Sequence, residues 1–263
     1  MTSVVSADGT TIACTVTGSG PAVVLVDGAL CHRSFGPAQA LAEQLAGHHA
    51  VHTYDRRGRG SSGDTAPYTV QREIEDLAAV IAAAGGTAAV VGFSSGAALA
   101  LRAAAEGIGI GRAAVHEPPF STEDGQRERF TAYTAGLAAD LADGRRGDAV
   151  TRFMAFAGAP EPMTEQLRSS PVWPAFEAVA PTLAYDAAVL DAAPGAGVPT
   201  GVLAGIAVPV LVLDGGASPE PLRAPARAVA AAVPGAEHRT LPGQTHEVAP
   251  DVLAPVLLKF FGA

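Results

Sequence analysis

The segment GFSSG at 92–96 contains a serine, Ser94, whose surroundings are typical of a nucleophile. It lies between AAVVGF, which predicts a buried strand, and SGAALALRAAAEG, which predicts a helix. A serine on such a sharp strand-to-helix turn is held in a strained conformation, and small neighbours let strand and helix approach closely. The helix N-terminus also directs N–H groups at any oxyanion formed there. The pattern predicts an activated hydroxyl, with a plain glycine turn as the alternative.

A histidine near the C-terminus, His246, is the candidate base for such a serine. It lies in PGQTHEVAP, after a predicted strand and a Pro-Gly turn and before the last predicted helix. That ordered position favours it for proton transfer, with an ordinary loop histidine as the alternative. The other histidines, which we interpret as surface or core residues, are His32, His48, His49, His52, His116 and His238.

Strand and helix patterns alternate along most of the chain, and these elements must position the two residues. The alternation predicts an α/β fold with a mostly parallel central sheet and helices on both faces. Asp8-Gly9 predicts a hairpin turn between two short strands. Further strands are predicted at 21–26, 50–55, 88–93, 112–117, 209–214 and in AEHRTL, and helices around 74–81, after Ser94, near 222–233 and in DVLAPVLLKFF.

The pattern changes between 121 and 200, where helical stretches replace the strands. This segment is predicted to be a helical cap inserted into one α/β core. The core then comprises residues 1–120 and 201–263, and the sequence shows no internal repeat.

Several motifs together resemble the α/β-hydrolase family over nearly the whole length. They are the hairpin start, VVLVDG, YDRRGRGSS, GFSSG and GQTHEVAP. The resemblance implies an α/β-hydrolase fold with a helical lid, Ser94 as nucleophile and His246 as general base. It also implies an oxyanion hole formed by the N–H groups of Ala29 and Ser95.

The acid that orients the histidine is missing from its usual place in this family. That position, after the strand PVLVLD, holds Ser218. Asp214 comes too early, and Glu220 slightly late. In some members the acid instead follows the strand after the nucleophile helix, where RAAVHEPPF places Glu117. We expect Glu117 to be the acid in preference to Asp214, because catalytic groups gather at the carboxyl ends of parallel strands.

Two charged features near the predicted site need an interpretation. Asp27 stands where most family members have a histidine, and a free anion there would oppose the charge of an oxyanion. It must point away, be protonated or pair with Arg56 or Arg57, and we expect pairing. The dense basic run RRGRG at 56–60 is interpreted as a solvated turn.

The predicted cap carries large side chains that could line a substrate pocket. Trp173, between two prolines in PVWPAF, is the first candidate for a substrate contact. Leu30 and Phe93, beside the predicted oxyanion loop and nucleophile, are expected to contribute as well.

Composition excludes several classes of protein. The 263 residues carry a net charge of -9, which excludes nucleic acid as a partner. No apolar run is long enough to span a bilayer, so we expect no membrane partner.

Cys14 and Cys31 form no CxxC motif or His/Cys cluster, so we expect neither metal nor cofactor. The N-terminus lacks a secretory pattern, which predicts a cytoplasmic protein.

These features predict a serine hydrolase that cleaves a small to medium carboxylic ester, lactone or thioester. Carbon–carbon bond hydrolysis and cofactor-free peroxidation of halides stay open, because both resemble this constellation. The alternative from another class is a hydrolase-fold protein that binds a hydrophobic small molecule or promotes a non-hydrolytic rearrangement. The partner expected in every case is a small molecule, and the sequence does not set the oligomeric state.

Overall fold

The computed structural model describes residues 2–262 as one α/β unit built on an eight-stranded sheet. The strands are β1 (Thr2–Val5), β2 (Thr11–Thr17), β3 (Ala22–Val26), β4 (Ala50–Tyr54), β5 (Ala88–Phe93), β6 (Ile110–His116), β7 (Val210–Gly215) and β8 (Glu237–Leu241). The helices are α1 (Ala38–Leu45), α2 (Val70–Ala83), α3 (Ser95–Glu106), α4 (Gln126–Ala142), α5 (Arg146–Phe156), α6 (Glu161–Arg168), α7 (Trp173–Val179), α8 (Leu183–Leu190), α9 (Thr200–Leu203), α10 (Glu220–Ala232) and α11 (Pro250–Phe261).

The sheet has the order β1-β2-β4-β3-β5-β6-β7-β8. The β1–β2 and β2–β4 pairs are antiparallel, and the other five pairs are parallel. The apolar runs of β3, β5 and β7 are buried because helices cover both faces, as is usual for parallel strands. The predicted fold class is therefore confirmed.

Alternate side chains of each central strand enter two separate hydrophobic clusters. Val24 and Val26 of β3 pack with α2 and α3 on one face. Val23 and Leu25 pack with α1 and α11 on the other face. Each fully buried valine or leucine stabilises the fold by roughly 1.5–3 kcal/mol, so both layers hold the sheet in place.

The ends of β3 and β5 create the crevice in which a site can form. After β3 the chain passes to β4 on one side of the sheet, whereas β5 pairs with the opposite edge of β3. Such a reversal of strand order leaves a gap at the carboxyl ends of the strands, where ligands bind in open α/β sheets.

A helical segment, α4 to α9, separates β6 from β7, and within residues 2–262 no strand lies in this interval. Its helix α8 packs against α3, the helix that begins after Ser94. The segment falls in the interval predicted as a cap, and its action as a lid stays a prediction. None of the helices of residues 2–262 combines the length and apolar character that crossing a bilayer requires.

Candidate active site

Ser94 lies on a tight turn between β5 and α3, with φ 52° and ψ −123°. Its N–H donates to the carbonyl oxygen of His116 at 3.0 Å, which ties the turn to the end of β6. Small neighbours are required on both sides. A Cβ at Gly92 would lie 2.7 Å from Ala97 Cα, and one at Gly96 would lie 2.5 Å from the carbonyl oxygen of Asp27. The turn therefore has the strained strand-to-helix geometry expected of a nucleophile, and the role of Ser94 as that nucleophile stays a prediction.

Replacement of Gly96 by alanine is expected to disrupt this turn. The new methyl group would overlap the backbone oxygens of Val26 and Asp27, which cannot move without displacing β3. We expect a loss of about 2–3 kcal/mol of unfolding free energy, measured by urea denaturation. Gly85→Ala provides a contrast without steric overlap. That glycine has a positive φ, but open space surrounds the position of the added methyl group. A Gly96→Ala protein as stable as the wild type would show that α3 does not pack this closely.

Backbone strain is concentrated at the carboxyl ends of the central strands. Within residues 2–262, four non-glycine residues have positive φ: Leu30, Ser94, Glu117 and Ala196. The first three directly follow or lie just beyond β3, β5 and β6. Such conformations cost about 1–3 kcal/mol each and persist where the surrounding structure enforces them, frequently at functional sites.

A short hydrogen bond joins the predicted acid to the predicted base. Glu117 Oε2 lies 2.7 Å from His246 Nδ1, although the two residues are far apart in sequence. The other carboxylate oxygen accepts from the N–H of Gly215 at 2.8 Å. Glu117 is fully buried, whereas 40% of the His246 side chain is exposed. This arrangement orients the imidazole so that Nε2 is left to meet a hydroxyl proton.

Glu117 is held as a carboxylate. Burial by itself would raise the pKa of Glu117, but the hydrogen bonds to His246 and the Gly215 N–H, with the Ser218 hydroxyl nearby, outweigh it and lower the pKa to about 2. Asp214, the other candidate for the acid, faces different residues. Its Oδ2 lies 3.3 Å from His238 Nε2 and 3.6 Å from Arg223 Nε.

Two loops at the edge of the sheet are tied together and place His246. The N–H of Ala217, after β7, donates to the carbonyl oxygen of Gln244 at 2.8 Å. The Gln244 side chain accepts from the N–H of Ala249 at 2.8 Å, which closes the turn around His246. Gly215 allows this approach, because a side chain there would meet the backbone of Gln244.

The loop after β3 lies against the nucleophile turn, as an oxyanion loop must. A Cβ at Gly28 would lie only 3.0 Å from Ser94 Cβ. Ala29 follows at this point, and Ser95 opens α3 with its side chain buried. The structure thus brings both predicted oxyanion residues next to Ser94, and their role stays a prediction.

The basic run at 56–60 is buried, so its interpretation as a solvated turn is wrong. Arg56, Arg57 and Arg59 are each at most 1% exposed. Their partners come from distant elements: Arg56 pairs with Glu73 and Asp186, Arg57 with Asp8 and Asp76, and Arg59 with Asp186. Three guanidiniums can be buried here because four carboxylates neutralise them.

Asp186 is a member of this cluster that the sequence patterns did not single out. It lies in an alanine-rich stretch of α8 and carries no local motif. Only the fold brings it to arginines more than a hundred residues away.

The expectation that Asp27 pairs with Arg56 or Arg57 is also wrong. Arg56 donates to the Asp27 backbone oxygen at 3.4 Å, and the carboxyl oxygen Oδ1 is buried without a hydrogen-bond partner. Burial raises the pKa of Asp27 to about 7, since nearby Arg59 and Arg56 compensate only in part. Both arginines already contact other carboxylates, so Asp27 is held largely neutral below that pH.

Asp27→Asn is expected to raise the melting temperature more at pH 8 than at pH 5. The pKa of Asp27 is 3.8 ordinarily and about 7 when folded, so its contribution to stability is present at low pH and lost as pH rises through 7. The loss between pH 5 and pH 8 is about 3 kcal/mol, or several degrees, and asparagine does not titrate. Thermal unfolding of both proteins at both pH values measures it.

Asp55→Asn provides the control for that comparison. Asp55 is equally buried but accepts hydrogen bonds from Arg33 at 2.8 and 3.1 Å, so its loss should lower the melting temperature at both pH values. An Asp27→Asn effect that is the same at pH 5 and pH 8 would contradict the raised pKa.

His116 is a buried neighbour of the acid–base pair. Its ring centroid lies 6.1 Å from that of His246, and its Nε2 is buried without a hydrogen-bond partner. Burial lowers the pKa of His116 to about 4, so it is neutral at physiological pH. His116, Glu117 and His246 also have residue types and spacing that could hold a metal ion, with ligand atoms within 4.8 Å of one another.

The three predicted substrate-contact residues are all buried, at 5–6% exposure. Leu30 lies in the loop next to Ser94. Phe93 packs into the cluster on the α1 and α11 face of the sheet. Trp173 contacts Phe176 and donates its indole N–H to Glu177, both in α7. Their contact with a substrate stays a prediction.

Comparison with known proteins identifies relatives of the whole chain. Residues 19–256 match the profile of the alpha/beta hydrolase family. An alpha/beta hydrolase from Sphaerobacter thermophilus DSM 20745 is 52% identical, with a TM-score of 0.89 and coverage of 99% of this chain and 100% of the other. No curated protein matches the chain significantly.

More distant solved structures share the fold. The esterase RhEst1 from Rhodococcus sp. ECU1013 is 22% identical, with a TM-score of 0.70 and coverage of 100% of this chain and 98% of the other. The enol-lactonase from Burkholderia xenovorans LB400 is 21% identical, with a TM-score of 0.69 and full coverage of both chains.

Proposed function

Because the chain belongs to the alpha/beta hydrolase family, which supports a hydrolase activity, we propose that it is a serine hydrolase acting on a carboxylic ester, lactone or thioester of small to medium size. The observation that carries the proposal is the 2.7 Å contact between Glu117 and His246, formed beside the strained turn of Ser94. Two proteins of the same fold, an esterase and an enol-lactonase, support this choice of substrate class.

In the proposed reaction Ser94 Oγ attacks the carbonyl carbon of the substrate. His246 Nε2 accepts the hydroxyl proton while Glu117 holds Nδ1–H and stabilises the imidazolium. The N–H groups of Ala29 and Ser95 bind the oxyanion of the tetrahedral intermediate.

Collapse of that intermediate gives an acyl-enzyme on Ser94. His246 returns the proton to the departing alcohol or thiol, and for a lactone the new hydroxyl stays attached to the acyl group. Water, deprotonated by the same imidazole, then attacks the acyl carbon. His246 returns that proton to Ser94 Oγ as the acyl bond breaks, which releases the carboxylic acid and restores the serine. The positive φ of Ser94 is the backbone conformation in which such a turn makes its serine available for both steps.

The proposal is tested by treating the wild-type protein with a fluorophosphonate and with a panel of p-nitrophenyl esters, lactones and thioesters. We expect one phosphonyl group per chain in the intact mass, and turnover of at least one member. A folded protein that is neither labelled nor active would contradict the proposal. Native mass spectrometry for a retained small molecule would then test the ligand-binding alternative.

A further inference from the structure

Asp186, on helix α8 of the helical segment, lies at the centre of a buried polar cluster beside the proposed site. It is 3% exposed. Its Oδ1 accepts from Ser95 Oγ at 2.7 Å, from Arg56 Nη1 at 2.7 Å and from Arg59 Nη2 at 2.8 Å. Its Oδ2 accepts from Arg59 Nη2 at 2.8 Å. Burial would raise the pKa of Asp186, but Arg59 and Arg56 outweigh it and lower the pKa, so the group is a carboxylate.

The partners of Asp186 hold both backbone segments of the proposed oxyanion hole. Ser95, whose N–H is one proposed donor, is held directly, because its hydroxyl donates to Asp186. Arg59 Nη1 donates to the carbonyl oxygens of Gly28 at 2.5 Å and Cys31 at 3.3 Å. These two carbonyls lie on either side of Ala29, the other proposed donor. The separation between the two N–H groups therefore depends on the Asp186 carboxylate.

We infer that Asp186 is a positioning residue for the oxyanion hole. It lies on the helical segment, where it holds the Ser95 turn directly and the Ala29 loop through Arg59. These two contacts keep the two N–H groups at the spacing that an oxyanion requires. The inference rests on the proposed function, since the hole acts only if an oxyanion forms. It also makes docking of α8 a condition for catalysis.

The expected size of the effect follows from the geometry of such holes. Donors must lie about 2.7–3.1 Å from the oxyanion, and loss of one donor lowers kcat by about 10²–10³-fold. Displacement of a catalytic group by about 1 Å has a cost of about 10²-fold. Asp186→Asn would leave Arg59 without its carboxylate partner and put one amide oxygen in place of two carboxylate oxygens, which weakens the contacts to both segments at once.

Asp140 offers a control within the same helical segment. It is also 3% exposed, and it also bridges two arginines, with Arg145 Nη2 at 2.8 Å and Arg152 Nε at 2.7 Å. Both arginines belong to the helical segment and are 40–44% exposed, so Asp140→Asn removes a bridge of the same composition but more solvated, without touching Ser95 or the Ala29 loop.

The experiment compares Asp186→Asn, Asp140→Asn and wild type on p-nitrophenyl acetate. Asp186→Asn is expected to lower kcat about 10²-fold with KM changed less than about threefold, and to weaken binding of a trifluoromethyl ketone by a similar factor, because its hemiketal oxygen occupies the hole. Asp140→Asn should keep kcat and ketone affinity while losing thermal stability. Equal kcat in the two variants, or a change in KM alone, would overturn the inference.

A milder variant covers the case in which Asp186→Asn does not fold. Ser95→Ala keeps the backbone N–H and the ion pairs but removes the hydroxyl that donates to Asp186 and accepts from Arg56 Nη1 at 3.3 Å. It should lower kcat and ketone affinity together by roughly tenfold, and unchanged values would overturn the inference. Wild type without turnover on any substrate would overturn the proposed function and this inference with it. Active wild type with unaffected variants would overturn the inference alone.

Discussion

Ser94→Ala is expected to abolish phosphonylation and to lower kcat for the best ester by about 10⁴–10⁶-fold. The variant loses the only atom that can form the acyl bond in the proposed reaction. The alanine methyl group fits where the Ser94 Cβ already packs, so the sheet and α3 should be unchanged. Intact mass after fluorophosphonate treatment, together with steady-state kinetics, measures both effects.

The neighbouring serine supplies the control for that experiment. Ser95 lies in the same pentapeptide, but its hydroxyl donates to Asp186 and is 2% exposed. Ser95→Ala should therefore still take one phosphonyl group, although more slowly. Labelling that persists in Ser94→Ala, or that disappears only in Ser95→Ala, would refute Ser94 as the nucleophile.

Glu117→Gln is expected to lower kcat by about 10³–10⁴-fold without loss of the fold. The glutamine oxygen can still accept from the Gly215 N–H, which leaves its NH₂ group facing His246 Nδ1. That NH₂ donates, so it selects the tautomer with the proton on Nε2, which cannot take the serine proton. Kinetics and a thermal melt of the purified variant measure the two outcomes separately.

Asp214→Asn distinguishes the two candidate acids. Asp214 is also fully buried, but it faces His238 and Arg223 and makes no hydrogen bond or ion pair with His246. Its replacement should change stability and leave kcat within about threefold of the wild type. A large kcat loss in Asp214→Asn with little change in Glu117→Gln would reverse the assignment of the acid.

The sheet and most helices could be predicted because their signals are local. Buried strands appear as short apolar runs closed by glycine or aspartate, and α2 shows Ile74, Leu77 and Ile81 at helical spacing before Gly85. Helix α1 is not among the predicted elements, although Ala38, Leu41 and Leu45 lie at helical spacing and are buried. It has only eight residues, begins after Pro37 without a side-chain cap, and depends on contact with α11 at the other end of the chain.

The arginines show where sequence reasoning fails at the site. A run such as RRGRG is exposed unless carboxylates converge on it, and those carboxylates come from Asp8, α2 and α8. The expected pairing of Asp27 with an arginine was wrong for the same reason, since the arginines nearest to it are already paired with other carboxylates. The position of Glu117 could be predicted because the end of a parallel strand fixes where its next residue lies.

The β5–α3–β6 unit carries both Ser94 and Glu117, whereas His246 comes from the far end of the chain. Contacts within such a crossover are local in sequence, so the two groups come to lie side by side as soon as this unit folds. His246, the proposed base, joins them only when the segment after β8 docks, 129 residues beyond Glu117. For the proposed reaction, the return of turnover during refolding therefore reports the docking of the C-terminal segment and not the formation of the central sheet.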